Sequence, residues 1–135
     1  MFRIKYCREI VLKVLFQLDI NKVKPEQLEE ETVFFLKSVK GLQTEEYEFI
    51  LRMSRLVQEQ KEDIDRLITK TLIDWKIERL NVVDRSLLRL GIAESIRPDH
   101  PDKAVIIDDV VRIAKKYSES DSYKIINAML DNVIA

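Results

Sequence analysis

Residues 75–91 read WKIERLNVVDRSLLRLG, and the way this stretch folds decides the class of the protein. It sets three arginines and two acids among seven Leu, Val or Ile residues and one tryptophan. Val83, Leu87 and Leu90 fall on one row at helical spacing, and Leu88 and Ile92 widen the row into a band that faces a core. Asn81 stands where a helix N-cap belongs. Asp84, three residues later, can reach back to it, a weaker relative of the capping box. Arg85 and Arg89 share a different face at i, i+4, and helix formation alone does not explain them. Pro98 and Pro101 end this helix near Ile96 and bracket a rigid loop.

The same helical period continues downstream. Ile106, Val110, Ile113 and Tyr117 line one face of a helix over residues 101–117, with Asp108 and Arg112 set for an i, i+4 ion pair. Ser118 or Ser120 then caps a last helix whose core is Ile125, Ile126, Met129, Leu130 and Val133.

Upstream, residues 3–19 form the first helix, with Ile4, Cys7, Val11, Val14, Leu15 and Leu18 as its stripe. Phe2, Lys5, Glu9, Leu12, Lys13 and Phe16 lie off that stripe, so the helix is either sandwiched between two layers or offers a binding face. Pro25 opens a second helix over residues 25–39, and Gly41 can end it. Thr44 is placed to cap a third, with Glu45 and Glu46 at its positive end. The charged run QEQKEDIDR at residues 58–66 contains a bend, and Ile64, Leu67, Ile68 and Leu72 carry the pattern on to about residue 73. The total is six or seven helices. Two glycines and three prolines in 135 residues leave little punctuation for strands and turns.

Composition excludes most chemistry. The single Cys7 forms no internal disulfide and reads as a small core residue; a reducing, cytoplasmic setting follows. One Cys and one distant His, His100, make no zinc site. The two glycines, fifty residues apart, build no phosphate loop. Asp108 and Asp109, adjacent on a helix, diverge by about 100° and form no acid–base dyad. No catalytic residue, cofactor or metal is called for. No apolar run reaches the ~20 residues that span a bilayer, so no membrane partner is expected, and charges within the N-terminal apolar pattern argue against a signal peptide. The net charge is −1, but residues 1–24 hold six basic and two acidic residues, whereas residues 25–70 hold seven and eleven. A basic front end fits a polyanion, and it also fits ordinary solvated helix faces.

Over nearly its full length the chain resembles the NusB family of bacterial transcription antitermination factors. The resemblance rests on Trp75, Arg79 and Leu80; on Val83, Asp84, Arg85, Leu88 and Arg89; on Ile107, Asp109, Val111, Ala114 and Lys115; and on Asp121, Ser122, Lys124, Ile126 and Asn127, in that order. It implies an all-α fold of two small helical bundles packed together, within a single RNA-binding domain over residues 1–135. It also implies pairing with the ribosomal protein NusE, binding of boxA-type single-stranded RNA, and tethering to the RNA polymerase antitermination complex during elongation through ribosomal RNA operons. Carried over by position, the RNA surface comprises Arg3, Lys5, Arg8, Asp121 and Lys124, and the partner surface comprises Phe16 and Asp84. A homodimer is compatible with the sequence.

Three of these residues also have a plain structural reading: Asp84 and Asp121 as caps, Phe16 as core. The chain departs from the family in carrying only Arg3, Lys5 and Arg8 where an adjacent arginine run is usual, Phe16 for a frequent tyrosine, Ala128 for a glycine and Ile125 for an aromatic. The thinned basic cluster motivates an alternative, a helical protein-interaction module that has lost RNA binding. A helper of an RNA-modifying enzyme ranks last, since NusB-like domains also precede some RNA cytosine methyltransferases and no such catalytic domain follows here.

Overall fold

The computed structural model describes residues 1–72 and 76–135. Trp75 and the expected extension of the fourth helix to residue 73 lie outside the described residues. These hold seven α-helices and fall into two compact units, Met1–Glu59 and Gln60–Ala135.

The first unit contains α1 (Ile4–Ile20), α2 (Leu28–Leu36) and α3 (Thr44–Glu59), which pack on one another pairwise. In α1 the expected stripe is buried from Cys7 to Leu18, but Ile10 and Leu12, off that stripe, are buried as well. Burial on so wide an arc answers the open question about this helix in favour of enclosure along its middle. At its end, Lys22 adopts φ 49°, the Val23 N–H donates to the Leu18 carbonyl and the Lys22 N–H to the Asp19 carbonyl. That is a Schellman cap with lysine where glycine is usual. Lys22→Gly removes the strain of a Cβ in a left-handed position. It is expected to raise stability by about 0.5–1 kcal/mol, read as a higher midpoint in urea.

The second helix is shorter than its periodicity implies. Pro25–Gln27 form a 3-10 turn, and α2 proper ends at Leu36. There the backbone tightens: Ser38 N–H bonds to Phe35 O and Val39 N–H to Leu36 O, while Ser38 Oγ donates to Phe35 O at 2.7 Å. Gly41, at φ +79°, turns the chain toward α3.

The break expected in the charged run falls at Gln60, where α3 gives way to α4 (Lys61–Thr71). The second unit consists of α4, α5 (Val82–Ser95), α6 (Lys103–Tyr117) and α7 (Ser122–Val133). Its core draws Ile64 and Ile68 from α4, Leu87 and Leu90 from α5, Ile106 and Ile113 from α6, and Ile126 and Leu130 from α7. Each contributes about 1.5–3 kcal/mol through burial. Gly91 lets α5 approach closely, since a Cβ there would sit 3.2 Å from the Leu130 methyls and 3.4 Å from Val110.

The quoted stretch behaves as its local signals say. The Asn81 side chain accepts from the Asp84 N–H at 2.8 Å and donates to Asp84 Oδ2 at 3.0 Å. The arginine pair also has its explanation. Arg89, 7% exposed, forms a two-pronged ion pair with Asp65 on α4, Nε to Oδ1 at 2.9 Å and Nη2 to Oδ2 at 3.0 Å. Arg85 Nη1 donates to the Leu80 carbonyl at 2.9 Å. Both guanidiniums serve the helix start and its packing.

Two further details differ from expectation. Arg112 pairs with Asp109 at 2.7 Å, not with Asp108, because Asp109 is the buried one of the two acids and gains most from a cation. Neither Ser118 nor Ser120 caps α7. Asp121 occupies the cap position without a side-chain cap bond, and the Ser118 hydroxyl donates to Asp84 Oδ1 instead.

Candidate functional site

In the first unit the cations sit at the start of α1, and the structure separates their roles. Arg3 is the residue before the first turn. Its backbone N–H and its Nε both donate to Glu46 Oε2 at 2.9 Å, and its Nη2 donates to Glu46 Oε1 at 2.8 Å and to the Gly41 carbonyl at 2.9 Å. Its guanidinium also lies 4.5 Å from the Tyr6 ring centroid. Glu46 is fully buried and reaches back to the Gln43 N–H at 3.0 Å, one half of a capping box at the start of α3. The hydrogen bond from Arg3, together with that from Gln43, holds the Glu46 carboxyl well below the usual carboxylate range, at about 2. Arg3 is thus first a clamp between the N-terminus and α3. The bonded edges leave the Nη1 side of its fork to any other partner.

Lys5 is exposed. Arg8 is not: it is 4% exposed. It lies one turn beyond Ile4 and one turn before Val11 and Leu12, so the helix carries it into the apolar side, its stem packing with the core. The surface cation set expected from the sequence therefore shrinks to Arg3 and Lys5. Cys7 is fully buried, and burial, with the nearby Glu46 charge, pushes its thiol up to about 11. It stays protonated at neutral pH, as suits a core residue. Phe16 is half-buried, more than a turn and a half beyond Arg8 along α1 and so well away from Arg3.

The second unit gathers more of the expected residues. Asp84, half-buried, is held from two sides, by Asn81 on its own helix and by Ser118 from the turn between α6 and α7. That turn leads directly into Asp121. The starts of α5 and α7 are therefore brought together at the C-terminal end of α6. Both Asp84 oxygens have partners here, which supports its structural reading. Asp121 is exposed, and Lys124, one turn on, stands 3.7 Å from its Oδ1. An exposed acid at a helix start beside a lysine offers acceptors and a cation on one small patch.

Sequence reasoning missed the aromatic and cationic neighbours of that patch. Lys115 Nζ lies 4.7 Å and Lys124 Nζ 6.0 Å from the Tyr123 ring centroid, and Lys116 Nζ lies 5.2 Å from that of Tyr117. The dense run KKYSESDSYK at residues 115–124 was the available signal. Among the described residues no group of three or more His, Cys, Asp and Glu is placed to hold a metal ion, and no helix is long and apolar enough to cross a membrane.

Comparison with known proteins adds an independent line. The NusB family profile matches residues 6–135. The transcription antitermination protein NusB of Koribacter versatilis is 33% identical over 126 residues, covering 93% of this chain and 84% of the relative. That of Macrococcus caseolyticus is 34% identical over 127 residues, covering 94% and 92%. Among solved structures, T. maritima NusB superposes with a TM-score of 0.88 at 32% identity, covering 96% of this chain and 89% of that one. A chain from the crystal structure of antitermination factors NusB and NusE in complex with dsRNA gives 0.84 at 28% identity, covering 99% and 98%.

Proposed function

The chain belongs to the NusB family, and from that premise we propose that it is a non-enzymatic transcription antitermination factor. It pairs with the ribosomal protein NusE, binds boxA-type single-stranded RNA, and joins the RNA polymerase antitermination complex on ribosomal RNA operons. The observation that supports its NusE- and RNA-binding part is the end-to-end likeness to a chain of the NusB–NusE–dsRNA complex.

The chemistry of the surface supports it. Lys5, Lys124 and the open edge of Arg3 supply charge to phosphates, a contribution that is indifferent to sequence and falls with salt. Asp121, acceptor-only when ionised, can receive hydrogen bonds from base amino groups, which an unpaired strand exposes and a duplex hides. Phe16 and Asp84 are the proposed NusE contacts.

The burial of Arg8 and the engagement of Arg3 by Glu46 favour a second reading, a protein-interaction module that retains NusE and has lost RNA. The charge-reversed pair Lys5→Glu with Lys124→Glu separates the two in an anisotropy titration of boxA-type RNA. The RNA-binding reading expects each reversal to weaken binding roughly tenfold and the salt slope to flatten. Unchanged affinity and slope for both would leave the interaction module standing in its place.

A further inference from the structure

Three cations recur on α6 at positions 112, 115 and 116, the i, i+3, i+4 spacing that places side chains on one helix face. Lys115 and Lys116 lie in the last turn of α6, where the helix dipole favours cations. Lys115 and Lys116 are exposed. Arg112 is half-exposed and steadied at its root by Asp109, whose side chain is 4% exposed. With Asp108 and Val111 these three line an open cleft of about 470 Å³.

The way the lysines are held matters more than their number. The Lys115 ammonium lies over the Tyr123 ring at 4.7 Å, and Lys124 approaches the same ring at 6.0 Å. Lys116 stands 5.2 Å from the Tyr117 ring. The ring face positions the Lys115 ammonium without cancelling its charge, whereas Lys124 also stands 3.7 Å from Asp121 Oδ1. Two ammonium groups thus lie near the Tyr123 ring at the corner where α6 meets the start of α7. Asp121 and Lys124 lie on the same corner.

We propose that the Arg112–Lys115–Lys116 face of α6, continued through Tyr123 to Lys124, is a track for the phosphates of single-stranded RNA, with the tyrosine rings offering stacking surfaces to its bases. An acidic peptide would satisfy the lysines but make no use of the rings. An unpaired nucleic acid uses both, phosphates on cations and bases on aromatic faces. The inference rests on the RNA-binding reading and extends its footprint from the start of α7 back along α6.

The test is an anisotropy titration of labelled boxA-type single-stranded RNA, with NusE present, over a series of salt concentrations. Lys115→Gln with Lys116→Gln removes two charges and keeps the aliphatic stems. Lys61→Gln with Lys70→Gln, on exposed positions of α4, is the control, and thermal melts check that both variants fold. The track expects the α6 variant to bind about tenfold more weakly, with the slope of log K against log salt reduced by about one to two; the α4 variant stays at the wild-type values. Wild-type affinity and slope in the α6 variant, with the unmutated protein binding RNA, would overturn this inference and leave the RNA-binding reading intact. Failure of the unmutated protein to bind RNA would overturn both. Loss of NusE binding alone in the α6 variant would make the face a protein contact and overturn the assignment. So would displacement of RNA by inorganic phosphate beyond the effect of chloride at matched ionic strength, which would mark a free-anion site.

Discussion

Asp65→Ala is expected to lower folding stability by about 3 kcal/mol, the cost of taking the acid from a two-pronged pair with a buried arginine. Arg89 is 7% exposed and meets both Asp65 oxygens at 2.9 and 3.0 Å. This two-pronged pair ties α4 to α5, and removing the acid leaves a guanidinium that burial keeps from water. Urea unfolding measures the loss. Arg89→Met with Asp65→Leu takes away both charges and fills the space with apolar atoms. Its stability should return to within about 1–2 kcal/mol of the unmutated protein, since the desolvation cost disappears with the attraction. A single Asp65→Ala variant as stable as the parent would mean that the pair contributes nothing to the joint.

Glu46→Gln is expected to lower the thermal midpoint at neutral pH and to flatten its fall in acid. The Glu46 carboxyl sits at about 2 in the folded protein, against an ordinary value of 4.5, chiefly because Arg3 donates to it. A depressed folded value means that the contribution is complete above the ordinary value and is lost as pH drops toward 2. Other carboxylates titrate over the same range, but they titrate in the variant too. The difference between the two proteins isolates Glu46: widest at pH 6–7, narrowing from about pH 4.5 downward, and small near pH 2. A constant difference across that window would show that the charge on Glu46 is not what holds α1 to α3.

How much of this was legible in the sequence depends on distance along the chain. The start of α5 was readable because Asn81 and Asp84 are three residues apart and their chemistry is local. Most other helices followed from apolar periodicity, with their ends displaced by a few residues where backbone turns, as at Ser38, tightened ahead of the pattern. The joints were not readable. Arg3 with Glu46, Asp65 with Arg89 and Ser118 with Asp84 are separated by 43, 24 and 34 residues, and nothing in a charge pattern says which distant acid a given arginine will meet. The cap of α3 was read at Thr44, but Thr44 is already helical: the Tyr47 N–H bonds to the Gln43 carbonyl and the Gln43 N–H donates to Glu46, so the cap falls one residue earlier.

The candidate site divides in the same way. Asp121, Lys124, Phe16 and Asp84 were named through resemblance, and their geometry became clear only in the fold. Arg8 was counted among the surface cations because its charge is visible in sequence and its burial is not. Its neighbours Cys7, Val11 and Leu12 are all buried, so a helix phase that had included position 8 would have enclosed it. The α6 cations were visible as a run, whereas the tyrosine rings beneath them required the α6–α7 corner to be built.

The central claim is that this chain and NusE together hold an unpaired ribonucleotide strand. The most direct measurement is a titration of labelled boxA-type single-stranded RNA at moderate salt, with this protein alone, NusE alone and the two combined, beside a duplex of the same sequence. The account predicts that the combination binds the single strand more tightly than either protein by itself and prefers it to the duplex. Equal binding by NusE with and without this protein would contradict it.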